Sequence, residues 1–77
     1  MAGAGILQAF GSVVREARLA KHMTQEQLAL SAGLNRYFVV GIEAGKRKPS
    51  LITLFAIAKA LEMTPSQLVS RTERASR

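Results

Sequence analysis

The sequence predicts an all-α protein with five short helices in a single domain. Serine, threonine or asparagine, which cap helix N-termini, stands directly before an apolar stretch in four places. Within those stretches the apolar residues recur every three or four positions, which is the period of one face of an α-helix. A chain of 77 residues is long enough for one domain with a modest core.

The first helix is predicted from about Leu7 to Lys21. Its core-facing residues share one stripe at helical spacing: Phe10, Val13, Val14 and Ala17. Residues 1–8, rich in alanine and glycine, are predicted to form a flexible extension, because chain termini that nothing ties down are poorly ordered. The folded domain is therefore expected to span residues 9–71, and residues 72–77 to form a polar tail.

The second and third helices are predicted to follow one another closely, joined by a tight turn. Thr24 and Gln27 have the spacing of a capping box, which places the start of the second helix at Thr24. Gly33 can adopt a left-handed conformation without steric cost and so ends that helix. Asn35 is expected to cap the third helix. Two apolar residues of this helix are spaced to face the interior: Val39 and Ile42.

The last two helices have equally clear starting signals. Ser50 is predicted to cap a fourth helix from Leu51 to Glu62. The fifth helix is predicted to begin after Thr64, with Pro65 at its first position and Gln67 completing a second capping box. No internal repeat, low-complexity run or linker divides the chain.

The fourth helix is apolar on nearly every side. Ile52 and Phe55 lie off the stripe that faces the core, so the helix needs a second surface to bury. We expect these two residues to form the interface of a homodimer. A twofold contact is self-complementary, so one patch can serve both subunits.

Composition favours a polyanionic partner and excludes several classes of function. Eleven lysines and arginines against five acidic residues give a formal charge of +6. The chain has no cysteine, no metal-ligand cluster, and no nucleophile beside a base, so we expect no enzyme activity, no cofactor and no small-molecule ligand. No apolar run approaches the roughly 20 residues of a membrane span, and we expect a soluble, cytoplasmic protein without membrane contact.

The stretch Thr24–Ala44 has the skeleton of a helix-turn-helix, with an alanine, a glycine four residues later and an apolar pair after the turn. The chain from Phe10 to Leu68 resembles the Cro/repressor-type, XRE-like family of bacterial and phage regulators. The similarity is carried by three blocks in order: Phe-Gly-Ser-Val-Val-Arg-Glu-Ala-Arg, Met-Thr-Gln-Glu-Gln-Leu-Ala, and Ile-Glu-Ala-Gly-Lys-Arg-Lys-Pro-Ser. It implies a compact five-helix bundle of the lambda-repressor-like DNA-binding type. Within this family, the chain is similar to restriction–modification controllers and to phage repressors.

The resemblance also implies which residues contact double-stranded DNA. The base-reading positions are Arg36, Tyr37 and Val40. The phosphate-contacting positions are Thr24, Gln25, Asn35, Lys46, Arg47 and Lys48. Gly41 offers no side chain for base reading. The family commonly has a partly buried ion pair at the positions of Arg18 and Glu43, which would join the first helix to the recognition helix.

The sequence is compatible with two functions from different classes. The first is a sequence-specific DNA-binding transcriptional regulator that acts as a small homodimer on a paired operator. The alternative is a protein-binding module, such as the antitoxin component of a toxin–antitoxin pair. Self-association through Ile52 and Phe55 favours the regulator, whereas capture of another protein on the same face favours the module.

Overall fold

The structure is a computed structural model that describes residues 2–77. These residues form five α-helices and contain no β-strand, so the prediction of an all-α fold is confirmed. The helices are α1 (Ala2–Ala20), α2 (Gln25–Ala32), α3 (Arg36–Glu43), α4 (Leu51–Ala60) and α5 (Pro65–Ala75).

The first helix is longer than the sequence predicts. It begins at Ala2 rather than near Leu7, so the predicted flexible extension lies within α1, apart from Met1, which is outside the described residues. Ile6 and Leu7 line an apolar groove together with Leu51 of α4 and other residues of α4 and α5. The sequence composition of these first turns, rich in alanine and glycine, therefore did not mark the start of α1.

The C-terminal end also differs from the prediction. Helix α5 continues to Ala75 and includes most of the residues expected to form a polar tail. Thr72 is buried, and its hydroxyl donates a hydrogen bond of 2.9 Å to the carbonyl oxygen of Leu68, one helical turn earlier. A threonine that satisfies its hydroxyl in this way can be buried inside a helix, so polarity alone did not mark the end of α5.

The core takes side chains from all five helices. Helix α1 packs against α3 and α5, and α2 packs against α3 and α4. The largest fully buried side chains are Val14, Leu28, Val39, Ile42, Ile57 and Leu68. The inner faces of α2 and α3 pack against the core, whereas the outer face of α3 is exposed to solvent.

The helix starts follow the predicted caps. The Thr24 hydroxyl accepts a hydrogen bond from the Gln27 N–H at 3.0 Å, and the Gln27 side chain accepts one from the Thr24 N–H at 2.8 Å. Thr64 and Gln67 form the same reciprocal pair. Both predicted capping boxes are confirmed.

Two turns of the fold share a short sequence motif. Residues 20–28 and 60–68 share the pattern Ala-x-x-Met-Thr-x-x-Gln-Leu, and both form the turn between two helices. His22 and Glu62 occupy the same place in the two turns, with left-handed φ angles of 57° and 58°. Lys21 of the first turn donates a hydrogen bond to Glu62 of the second. That bond and the charge of Lys21 hold the pKa of the Glu62 carboxyl below its ordinary value.

Gly11 allows α1 to lie directly against the end of α3. A Cβ atom at this position would lie 2.3 Å from the carbonyl oxygen of Ile42 and 2.7 Å from that of Glu43. Contacts this short are impossible for a carbon atom, and both neighbours are backbone atoms that cannot rotate away. Glycine lowers the helix propensity of α1 at this position, but only glycine allows α1 and α3 to approach this closely.

We expect Gly11→Ala to destabilise the fold by about 1–3 kcal/mol, because the added methyl overpacks the contact between α1 and α3. Gly5→Ala in the same helix is the matched control, since a Cβ there meets no atom within 4 Å. It should keep or raise stability by up to about 1 kcal/mol through helix propensity. Chemical denaturation of both variants measures the difference, and equal midpoints would show that the approach at Gly11 is not tight.

Candidate nucleic-acid interface

Helices α2 and α3 form a helix-turn-helix whose turn consists of residues 33–35. Gly33 has a left-handed φ of 69°, and the N–H of Leu34 donates to the carbonyl oxygen of Ala29 at 2.8 Å. The side chain of Leu34 packs against the core cluster below the turn. This combination ends α2 within one residue and starts α3 at a defined angle to it.

The N-terminal end of α3 exposes the side chains that the sequence predicts as base readers. Arg36 and Tyr37 are exposed, and the Arg36 guanidinium carbon lies 5.9 Å from the centre of the Tyr37 ring. A cation over an aromatic ring is a favourable contact, so the two side chains support each other's position. Val40 is also exposed, one turn further along.

The loop after α3 supplies a side chain where α3 itself has none. A Cβ at Gly41 would lie 2.4 Å from Cγ of Arg47, so the stem of Arg47 occupies the space of a residue-41 side chain. The loop turns back through Gly45, whose φ is 74°, and the N–H of Lys46 donates to the carbonyl oxygen of Gly41 at 2.8 Å. Arg47 therefore crosses the surface of α3 instead of extending freely from the loop.

Two more of the predicted phosphate-contacting positions lie at helix caps. The Thr24 hydroxyl is occupied by the cap of α2, and the Asn35 side-chain oxygen accepts from the Tyr37 N–H at 2.7 Å. These bonds leave the Asn35 amide nitrogen as a donor. The other cationic positions, Lys46 and Lys48, are exposed on the loop.

Beneath this surface lies an ion pair between α1 and α3. Arg18 donates from Nε to Glu43 Oε2 at 2.6 Å and from Nη2 to Oε1 at 3.0 Å, which is the bidentate form of this pair. Side-chain exposure is 9 % for Arg18 and 4 % for Glu43. The third donor, Nη1, bonds the Met23 carbonyl oxygen at 2.7 Å and so reaches the loop before α2. The hydrogen bond to Glu43 raises the pKa of the Arg18 guanidinium, so Arg18 remains a cation at any ordinary pH.

Gln25 belongs to this ion-pair network as well as to the outer surface. Its amide nitrogen Nε2 donates to Glu43 Oε1 at 3.1 Å, and the residue is half-buried at the first position of α2. The sequence reading treated Gln25 only as a phosphate contact and missed this bond, because it joins residues that are eighteen positions apart. The cover that Arg47 provides for Gly41 was also missed, because it depends on the path of the loop between these two residues; the glycine itself was the available signal.

A separate apolar surface lies on α4. Ile52 is 82 % exposed and Phe55 is 54 % exposed, and Leu51 beside them is 70 % exposed. Side chains of this size are normally covered, so the structure agrees with the need for a second buried face. Across residues 2–77 no three His, Cys, Asp or Glu side chains gather to form a metal-binding group. None of the described helices is long and apolar enough to cross a membrane.

The chain belongs to the helix-turn-helix family, whose sequence model matches residues 14–68. Its relatives include restriction–modification control proteins. Control protein C.BamHI of Bacillus amyloliquefaciens is 42 % identical over 64 residues, which are 82 % of this chain and 79 % of the relative.

Two solved structures of control proteins have the same fold. The restriction–modification controller protein C.AhdI of Aeromonas hydrophila has a TM-score of 0.79 and 44 % identity over 80 % of this chain and 94 % of its own. The controller protein C.Esp1396I, solved as a tetramer with its natural 35-base-pair operator, has a TM-score of 0.83. It is 31 % identical over 92 % of this chain and 93 % of its own.

Proposed function

We propose that the protein is a sequence-specific, DNA-binding transcriptional regulator of the restriction–modification controller type. It acts in the cytoplasm as a homodimer on a paired operator, by binding and without a catalytic step. The observation that carries this proposal is the outer face of α3, where Arg36 and Tyr37 are exposed beside the cationic loop of Lys46, Arg47 and Lys48.

The geometry suits entry of α3 into the major groove with its N-terminus first. Arg36 is then placed to make a bidentate contact with a guanine edge, and Val40 can pack on a thymine methyl group. The N-terminus of α2 and the loop after α3 face the two sides of the groove, where their N–H groups and cations meet phosphates. The buried carboxylate of Glu43 near this surface is paired with Arg18, which offsets its negative charge.

The antitoxin alternative has less support. The relatives described above are control proteins, and one of them is in complex with an operator as an oligomer. An exposed apolar face on α4 is equally suited to self-association, which the regulator requires. We therefore favour the regulator. The measurement of oligomeric state described below can distinguish it from a module that binds another protein.

Arg36→Ala is expected to lose about 1–3 kcal/mol of binding on the preferred site and to relax preference at one base pair, because a bidentate base contact is removed. Lys46→Ala should weaken preferred and scrambled duplexes alike and reduce the salt slope by about one unit, because a phosphate contact is removed. Competition binding on both duplexes over a salt series measures the contrast, with Arg15→Ala as a charge control on exposed α1 surface. Equal weakening of both duplexes by Arg36→Ala would assign Arg36 to the phosphates.

Gly41→Ala is expected to displace Arg47, because its methyl group would occupy the place of Arg47 Cγ. Binding should weaken to about the level of Arg47→Ala, with the salt slope again lower by about one unit. The double variant should bind no more weakly than either single one, because both changes remove the same contact. An additive loss in the double variant would show that the methyl group interferes with DNA by itself.

Phe55→Glu is expected to convert a dimer into a monomer at micromolar concentration, because the charge would be buried in the proposed interface. Leu30→Glu is the matched control, since Leu30 is an apolar residue that is 83 % exposed on a different helix, α2. Sedimentation of the parent and both variants gives the oligomeric state. If Phe55→Glu keeps the parent's state, the patch is not the self-association surface, and binding of a different protein there becomes the better reading.

A further inference from the structure

Glu43 makes a contact that a purely structural ion pair does not require. Its Oε1 accepts hydrogen bonds from two partners, Arg18 Nη2 at 3.0 Å and Gln25 Nε2 at 3.1 Å. Only the Gln25 bond leads to the α2 N-terminus, at the proposed DNA surface. The buried carboxylate is therefore connected to a residue that is half-buried at the edge of the interface.

The chemistry of the three groups determines which end of the Gln25 amide is used. A carboxylate accepts hydrogen bonds and cannot donate them, so Glu43 holds the NH₂ end and not the carbonyl oxygen. A phosphate is likewise only an acceptor. The NH₂ group has two N–H bonds, and the one that Glu43 does not use remains for a phosphate.

The backbone adds donors at the same place. The first N–H groups of a helix have no partner within the helix, and the Thr24 hydroxyl satisfies that of Gln27. Those of Gln25 and Glu26 remain for an anion at the N-terminus of α2. A correctly oriented Gln25 side chain would join this set of donors.

We infer that Glu43 is a positioning residue for DNA binding: through its hydrogen bond it holds the Gln25 amide with an N–H available to a backbone phosphate before DNA arrives. The inference rests on the proposed function. Without Glu43 the amide can rotate and present its oxygen, and ordering it again on the DNA costs side-chain freedom. The Arg18 cation offsets the negative charge of Glu43, so the carboxylate can do this without repelling the phosphate.

Charge and positioning predict opposite effects for the same substitution. Glu43→Gln removes a negative charge and leaves Arg18 as an uncompensated cation, so electrostatics alone predicts tighter DNA binding. Positioning predicts weaker binding, by about two- to tenfold for each protomer, the usual range for ordering one side chain. Glu26→Gln is the matched control, because Glu26 is exposed in the first turn of α2 and its loss should leave binding equal or tighter.

The test is a double-mutant cycle on a selected duplex with the full chain. Gln25→Ala should weaken binding by about ten- to a hundredfold for each protomer, the effect of one hydrogen bond to a charged group. In the Gln25→Ala background, Glu43→Gln should cause no further loss. An equal loss from Glu43→Gln in both backgrounds would overturn the inference, because the effect would then not pass through Gln25.

A measurement on the parent protein covers the case in which Glu43→Gln does not fold. In the DNA-free protein, nuclear magnetic resonance relaxation should show that the Gln25 side-chain NH₂ group is ordered. Its hydrogens should also exchange slowly with water. A freely rotating amide would overturn the inference. Gln25→Ala binding at parental affinity would also overturn it and leave the proposed function intact, whereas a parent that selects no duplex would overturn both.

Discussion

The ion pair between Arg18 and Glu43 is the interaction on which the arrangement of this domain depends. It joins the last turn of α1 to the last residue of α3, and the third Arg18 donor reaches the Met23 carbonyl oxygen before α2. Burying such a pair adds little net stability, because desolvation offsets the attraction. Its geometry, however, allows only one orientation of α3 relative to α1. The pair is therefore better explained as an orienting device for the recognition helix than as a source of stability.

Glycine performs the complementary task at the same contact. Gly11 lets α1 approach the last carbonyl groups of α3, which belong to Ile42 and to Glu43 itself. A larger residue would push α3 outward and lengthen the bidentate bonds from Arg18. Backbone approach and ion pair thus depend on each other, and both set the position from which Arg36 and Tyr37 project. Stability and function are coupled at this point of the fold.

Most of the fold could be predicted from the sequence because its signals are local. A capping box needs only four consecutive residues, and the boxes at Thr24 and Thr64 place the starts of α2 and α5 at the observed residues. The start of α1 and the end of α5 could not be predicted. The first residues of α1 are helical despite their glycines, and at Thr72 a satisfied hydroxyl allows a polar residue to be buried within α5. The exposed residues of α3 could be predicted from helical periodicity. The bond from Gln25 to Glu43 could not, since it joins residues eighteen positions apart, and the contact of Arg47 with Gly41 could not, since it depends on the path of the loop after α3.

The position of Gly41 shows why a count of side chains on one helix underestimates a recognition surface. Read alone, α3 has a gap between Val40 and Ala44, which suggested sparse contact with bases. In the folded chain Arg47 crosses that gap, because the turn at Gly45 directs the loop back over α3. An arginine placed from a loop can adjust more freely than one on the helix, since its backbone is not held by the helical ladder. The surface that meets DNA in our proposal is therefore a joint product of α3 and the loop, and Gly41 is the residue that allows the two to combine.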